Sequence, residues 1–268
     1  MSVDLQLAGK RAIVTGGSRG IGLAAASALA AEGADVALVA RGSDALQEAA
    51  SQLAAAHGAR VLPVTADTTS QESVEAMVAQ VTAALGGIDI LVNSAARPAS
   101  SGARKELDRL LDDDVRVEIE TKVLGYLRCA RAAAPHMIAA GWGRIVNISG
   151  LNARQAGSIP GSIRNVAVAA LTKNLADELG PHGVNVTVVH PGLTVTERTP
   201  QLVATIAASS GTSERDALAS LSAGVSIGRM PTAAEVADVI AFLCSPRSVA
   251  INGDAIATGG GTRGPIFY

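Results

Sequence analysis

The sequence predicts an α/β fold on a doubly wound parallel sheet, and three observations carry that expectation. Six short runs rich in β-branched apolar residues recur along the chain, Ala-rich segments with helical spacing separate them, and one glycine-rich turn follows directly on the first run. Strands alternating with helices build a parallel sheet covered on both faces, because each right-handed crossover packs its helix back onto the sheet.

The runs at 12–14, 36–39, 61–64, 88–92, 145–148 and 184–189 are short, rich in β-branched apolar residues and interrupted by few polar ones. A strand buried on both faces reads this way. Helices are expected over 21–32, 44–57, 70–85, 115–140 and 165–179. In the last two, apolar residues spread around much of the circumference, so these helices need partners on more than one side and a homo-oligomer is expected. No long Pro/Ser-rich linker divides the chain, and 268 residues with 48% apolar content suffice for one core, so 1–268 is expected to form a single domain. The stretch 201–228 mixes helical and loop character and is read as a lid or substrate loop. In such a sheet the ligand site lies beyond the carboxyl ends of the strands, where strand order reverses.

Composition narrows the partners. A formal net charge of −2 supplies no basic field for nucleic acid or an anionic membrane. The N-terminus lacks an apolar leader and no stretch reaches the roughly 18 apolar residues of a membrane span, so a soluble, cytoplasmic protein is expected. Cys129 and Cys244 each sit in an apolar segment and are expected to be buried thiols. The histidines at 57, 136, 182 and 190 lack the close pairing of a zinc site, and no metal is expected.

Chemistry begins at the turn after the first run, 15–22 (TGGSRGIG), which opens into an Ala-rich helix. Glycines there permit a tight turn and close backbone approach, while the helix N-terminus offers unpaired N–H groups to a phosphate. The strand, turn and helix context makes this a pyrophosphate cradle.

This spacing resembles the signature of the short-chain dehydrogenase/reductase (SDR) family, and further matches follow in order over nearly the whole chain. Asp67 sits two residues past the third run, 93–96 (NSAA) stands where the family has its NNAG turn, and 143–149 (GRIVNIS) matches the segment before its catalytic serine. The segment 171–179 is similar to the family's interface helix and 191–196 (PGLTVT) to its nicotinamide-side loop. Arg229, Met230 and Pro231, then 235–237, 251–253 and 259–260, also follow the pattern. The resemblance implies a Rossmann fold, dimers or tetramers, and cofactor contacts from Gly16, Ser18, Arg19, Gly20, Ile21, Gly22, Asp67, Thr68, Asn93, Ala95, Pro191, Gly192, Thr194 and Thr196. Asp67 would contact the adenine.

The second run ends Val39, Ala40, Arg41, without the acidic residue that would hydrogen-bond an adenosine ribose 2′-hydroxyl and repel a 2′-phosphate. Arg41 and Arg19 can bracket that phosphate with planar, bidentate donors, so NADP(H) is expected rather than NAD(H).

The family's catalytic tetrad, Asn, Ser and a Tyr-x-x-x-Lys pair, is what the resemblance would supply next. Aligned on the flanking motifs, Lys122 stands at the Asn position, Gly150 at Ser, Gly161 at Tyr and Asn165 at Lys. The chain has only two tyrosines, Tyr126 and Tyr268, and residue 130 is Ala, so no Tyr-x-x-x-Lys exists in any register. Gly161 and Asn165 share one helix face, expected to point at the nicotinamide and to leave open space there. Lys122 is one of four lysines and is the leading catalytic candidate, since a desolvated ammonium can polarise a carbonyl or donate a proton; the alternatives are an arm that fills the gap left by Asn165 and a solvated helix lysine. Ser149 is a second candidate, reaching the site only if the chain bends after the strand. Ser158 and Ser162 read as loop or cap residues, His190 as structural, Arg154 as a possible contact for an acidic substrate, and Tyr268 as tail packing at a subunit boundary.

Together these readings predict an NADP(H)-dependent oxidoreductase acting on a carbonyl or alcohol, with Lys122 or water replacing tyrosine. The rivals are a cofactor-binding protein without turnover and a non-redox dehydratase or isomerase.

Overall fold

In a computed structural model that describes residues 4–96 and 106–263, the apolar runs become parallel strands: β1 (Arg11–Thr15), β2 (Asp35–Ala40), β3 (Val61–Thr65), β4 (Ile90–Asn93), β5 (Gly143–Ile148) and β6 (Val184–Pro191). A seventh strand, β7 (Ala255–Thr258), which the run pattern did not predict, pairs with β6 through Val188 opposite Ala255. Among the described residues the sheet order is β3-β2-β1-β4-β5-β6-β7, all parallel. Strand order reverses between β1 and β4, which opens a crevice at their carboxyl ends.

Helices cover both faces. On one lie α1 (Gly20–Ala31), α2 (Ser43–His57) and α9 (Ala233–Cys244), and on the other α3 (Gln71–Leu85), α5 (Gly125–Ala140) and α6 (Ile159–Leu179). Each sheet face has its own apolar cluster: Val14, Val36 and Ile90 pack toward α1, α2 and α9, whereas Ile13, Leu91 and Ile145 pack toward α3, α5 and α6. Adjacent strand residues point to opposite faces, so apolar residues on both faces of a strand are what a three-layer fold demands. Cys129 and Cys244 are fully buried, and burial pushes both thiols up to about 12.

Two expectations are corrected. The span 115–140 is not one helix: α4 (Asp112–Glu118) passes through a π-helical turn (Ile119–Leu124) into α5. The wider turn rotates the side chains that follow, and such turns occur often at functional sites. Helix α6 starts at Ile159 and carries both Gly161 and Asn165, because Ser158 caps it by accepting from Gly161 N at 3.2 Å and Pro160 suits its first turn. The fourth strand begins at Ile90 rather than 88, since Asp89 is held by the Arg11 guanidinium and backbone N–H at 2.7–2.9 Å. The stretch 201–228 contains α7 (Thr199–Ser210) and α8 (Glu214–Ser222), which share a small core of Val203, Ala207 and Ala217.

Candidate active site

The turn after β1 is compressed against its neighbours. A Cβ on Gly16 would lie 2.8 Å from Ser94 O, one on Gly17 2.8 Å from Leu38 Cδ2, and one on Gly22 2.4 Å from Gly16 O. These separations are shorter than side chains tolerate, so glycine is required for the close approach. Thr15 Oγ1 accepts from Ser94 N at 3.1 Å and Ala95 N at 3.2 Å, tying this turn to the one after β4. Gly20, at φ +57°, donates its N–H to Glu197 Oε2 at 3.2 Å. A carboxylate therefore sits on the α1 N-terminus, where an anion is favoured.

These pieces frame a cleft of about 580 Å³ at the switch point. Gly16, Ser18, Arg19, Gly20, Ile21 and Gly22 of the glycine turn line it, together with Arg41, Asp67 and Thr68, and with Ala95, Lys122, Tyr126 and Ser149. Pro191, Gly192, Thr194 and Thr196 close it from the β6 side, followed by Glu197 and Arg198. Asp67 Oδ1 accepts from Thr69 N at 2.9 Å and Thr69 Oγ1 at 2.8 Å, and the Thr69 backbone N–H, then its hydroxyl and Arg41, hold the carboxyl below its ordinary range. Asn93 differs from the other expected contacts: its side chain is fully buried and donates to Asn147 Oδ1 at 3.0 Å, leaving the wall after β4 to Ser94 and Ala95.

Lys122 reaches the cleft from the π-helical turn. It is only 4% exposed, and its Nζ donates to Ser149 O at 2.8 Å and Asn165 Oδ1 at 3.1 Å. Burial, reinforced by the Arg164 cation and opposed by Glu118, lowers its pKa to about 7. Arg164 and Glu118 form an ion pair behind it. Two of the three ammonium positions are committed, and the third is the one left for exchange. Ser149 is not available as a free hydroxyl: its Oγ donates to Asn165 O at 3.0 Å.

The open space expected around Gly161 and Asn165 is absent. Asn165 is buried, a Cβ on Gly150 would lie 2.9 Å from its Nδ2, and a Cβ on Gly161 would lie 2.5 Å from Ser158 Oγ. Neither Gly161 nor Asn165 lines the cleft; the Lys122 arm and the Asn165 amide fill the volume instead. Tyr126 and Glu197 are cleft residues that sequence reasoning missed. Tyr126 lies one turn beyond Lys122, a spacing that signals a shared face, and its hydroxyl donates to Ile148 O at 3.0 Å. Burial pushes that phenol far above its usual range, so it does not exchange protons near neutral pH. His190 is buried, with its pKa lowered to about 4 by burial, then by Arg154 and Lys122, and its Nδ1 has no hydrogen-bond partner. Arg154 Nη2 donates to Ala255 O at 2.8 Å. Tyr268 lies outside the described residues. Among the described residues no cluster of His, Cys, Asp and Glu is placed to hold a metal ion, and no helix is long and apolar enough to cross a membrane.

Residues 10–207 match the short chain dehydrogenase family. This chain belongs to the short-chain dehydrogenase/reductase family. Its SDR relatives include the short-chain reductase protein NovJ of Streptomyces niveus, 34% identical over 256 residues that cover 93% of this chain and 92% of the relative. Gluconate 5-dehydrogenase of Gluconobacter oxydans is 34% identical over 261 residues, 95% of either chain. The solved structure of L-sorbose reductase from Gluconobacter frateurii, complexed with NADPH and L-sorbose, superposes with a TM-score of 0.91 at 32% identity, covering 98% of this chain and 100% of that one. The chain is accordingly an NAD(P)-dependent oxidoreductase of the SDR type, acting between carbonyl and alcohol.

Proposed function

We propose that this SDR chain uses NADP(H) and carries an atypical active site, in which Lys122, Gly150, Gly161 and Asn165 replace the family tetrad. The observation that carries the reading is the buried Lys122 ammonium in the cleft wall, at a pKa of about 7, in a chain without any Tyr-x-x-x-Lys. A group that titrates near the working pH is suited to proton transfer.

The cleft fits the cofactor on its own evidence. The Gly20 N–H already donates to a carboxylate, and the turn admits no Cβ at Gly16, Gly17 or Gly22. Arg19 and Arg41 lie in the same cleft with no acidic residue at the end of β2, which supports NADP(H) over NAD(H). Gly16, Ser18, Gly20, Ile21 and Gly22 would hold the pyrophosphate, Arg19 and Arg41 the 2′-phosphate, Asp67, Thr68 and Ala95 the adenosine side, and Pro191, Gly192, Thr194 and Thr196 the nicotinamide side. When bound, the cofactor supplies or accepts the hydride. The chain's own work is to polarise the substrate oxygen and to exchange its proton at Lys122 Nζ, while Ser149 holds the lysine through its carbonyl. The whole chain 1–268 would act as one NADP-binding unit, with 201–228 as the lid or substrate loop over the cleft. Exposed Ile163 and Val166 on α6 and Val117 on α4 support a homo-oligomer.

A second reading, tight NADPH binding without turnover, is favoured by one feature: Lys122 and Ser149 already spend hydrogen bonds on protein acceptors. NADPH oxidation with a panel of ketones separates the two. Lys122→Met should abolish turnover while leaving NADPH affinity within a factor of about three, because methionine keeps the arm but removes its donors. Full activity in that variant would remove Lys122 from the proton step, and tight NADPH binding without any turnover by the wild type would favour the second reading.

A further inference from the structure

Three facts around Lys122 interlock. Its Nζ donates to the side-chain oxygen of Asn165 at 3.1 Å, and an ammonium has donors only, so the amide oxygen must face the lysine and the amide NH₂ must face away. That NH₂ lies toward Gly150: a Cβ there would come within 2.9 Å of Asn165 Nδ2. The backbone of Asn165 is held in turn, because its carbonyl accepts from Ser149 Oγ at 3.0 Å while the Ser149 carbonyl accepts from Lys122 at 2.8 Å. The ring of contacts runs Lys122, Asn165, Ser149 and back to Lys122, with Gly150 beside it supplying only absence of bulk.

We infer that Asn165 is the positioning residue of this site, which fixes and tunes Lys122 through its amide oxygen, and that Gly150 lacks a side chain because the Asn165 amide occupies that space. The inference rests on the proposed role of Lys122 and explains why two replacements go together. Any side chain at 150 would push the amide aside and unhook the lysine, so residues 150 and 165 form one unit.

The groups that set the charge state of Lys122 come from every neighbouring element. Glu118 on α4 and Arg164 on α6 form an ion pair next to it, His190 on β6 is neutral near pH 7, Tyr126 on α5 stays protonated, and Asn165 carries no charge. Asn165 is therefore the neutral dipole whose removal changes the lysine without adding or deleting a charge. An acceptor oxygen on Nζ favours the ammonium.

The test is the titration of Lys122 itself, followed by NMR of ¹³Cε-labelled lysine in the intact protein. With four lysines in the chain, the signal is assigned by comparison with Lys122→Met. Asn165→Ala should lower the midpoint by at least about half a pH unit, and Asn165→Asp should raise it by at least about one, since a carboxylate beside Nζ favours the ammonium. Gly150→Ala should lower the midpoint in the wild-type background and leave it unchanged in Asn165→Ala, where no amide remains to be displaced. An unchanged midpoint in Asn165→Ala, or an equal effect of Gly150→Ala in both backgrounds, overturns the inference. Should Gly150→Ala not fold, the pair Asn165→Ala and Asn165→Asp still decides whether the amide oxygen tunes the lysine. These readouts need no turnover: a wild type that reduces no carbonyl defeats the catalytic role of Lys122 and leaves the positioning of Asn165 to be judged by the titration. Where turnover is measured, the kcat profile should move in the same direction as the midpoint.

Discussion

Lys122→Met should change how stability depends on pH, by an amount the structure sets. Burial lowers the pKa of Lys122 from 10.5 to about 7 in the folded chain, whereas the unfolded chain keeps the ordinary value. Between those values the unfolded state binds more protons, so this residue makes stability rise with pH, and its cost to folding is largest below pH 7. From pH 7 to pH 9 the folded lysine goes from about half protonated to nearly neutral, while the unfolded one stays protonated. Integrating that difference predicts that wild type gains about 2 kcal/mol relative to Lys122→Met over this range. The two hydrogen bonds lost in the variant, to Ser149 O and Asn165 Oδ1, shift its curve by a constant and leave the slope untouched. Urea unfolding of both proteins at pH 7, 8 and 9 measures the difference; groups away from the lysine cancel between the two, and His190, which the lysine also depresses, is held neutral over this range chiefly by burial. Parallel stability curves would mean that Lys122 keeps a pKa near 10.5, and the proposal that it exchanges protons near neutral pH would fall with it.

NADPH should bind at least about tenfold tighter than NADH, roughly 1.4 kcal/mol, and Arg41→Asp should reverse the order; equal affinities by calorimetry would refute the role given to Arg41. Glu197→Gln should tighten NADPH about two- to fivefold, because the neutral amide holds the α1 N-terminus less strongly than the carboxylate that now accepts from Gly20 N, and unaltered affinity would show that the two do not compete. Gly22→Ala places a Cβ 2.4 Å from the Gly16 carbonyl oxygen and should cost about 1–3 kcal/mol of stability together with most NADPH affinity, as thermal melts with and without NADPH would read. Light scattering at micromolar concentration should give a mass well above the 26.9 kDa of one chain, and a value near 27 kDa would contradict the oligomer.

Features that depend on local spacing were legible in the sequence. The order of strands and helices followed from apolar runs alternating with Ala-rich segments, and the glycine turn from its place between a strand and a helix. The edge strand Ala255–Thr258 escaped because it is short, flanked by Gly253 and Asp254, and only partly buried, so no apolar run marks it. The break of 115–140 into α4, a π-helical turn and α5 escaped because every segment of it has ordinary helical composition; a single inserted turn changes direction without changing pattern.

By itself the sequence determined that no Tyr-x-x-x-Lys pair exists and that a lysine stands near the expected catalytic region, because both are matters of residue identity and short spacing. Only the tertiary structure decided what surrounds that lysine. Its partners lie 27 and 43 residues away at Ser149 and Asn165, and the carboxylate on Gly20 comes from Glu197, 177 residues on. Contacts of that range depend on which strands become neighbours and on how α6 packs against the turn before α5. A periodicity fixes the face a residue presents, and the packing of the sheet and its helices fixes what meets it there.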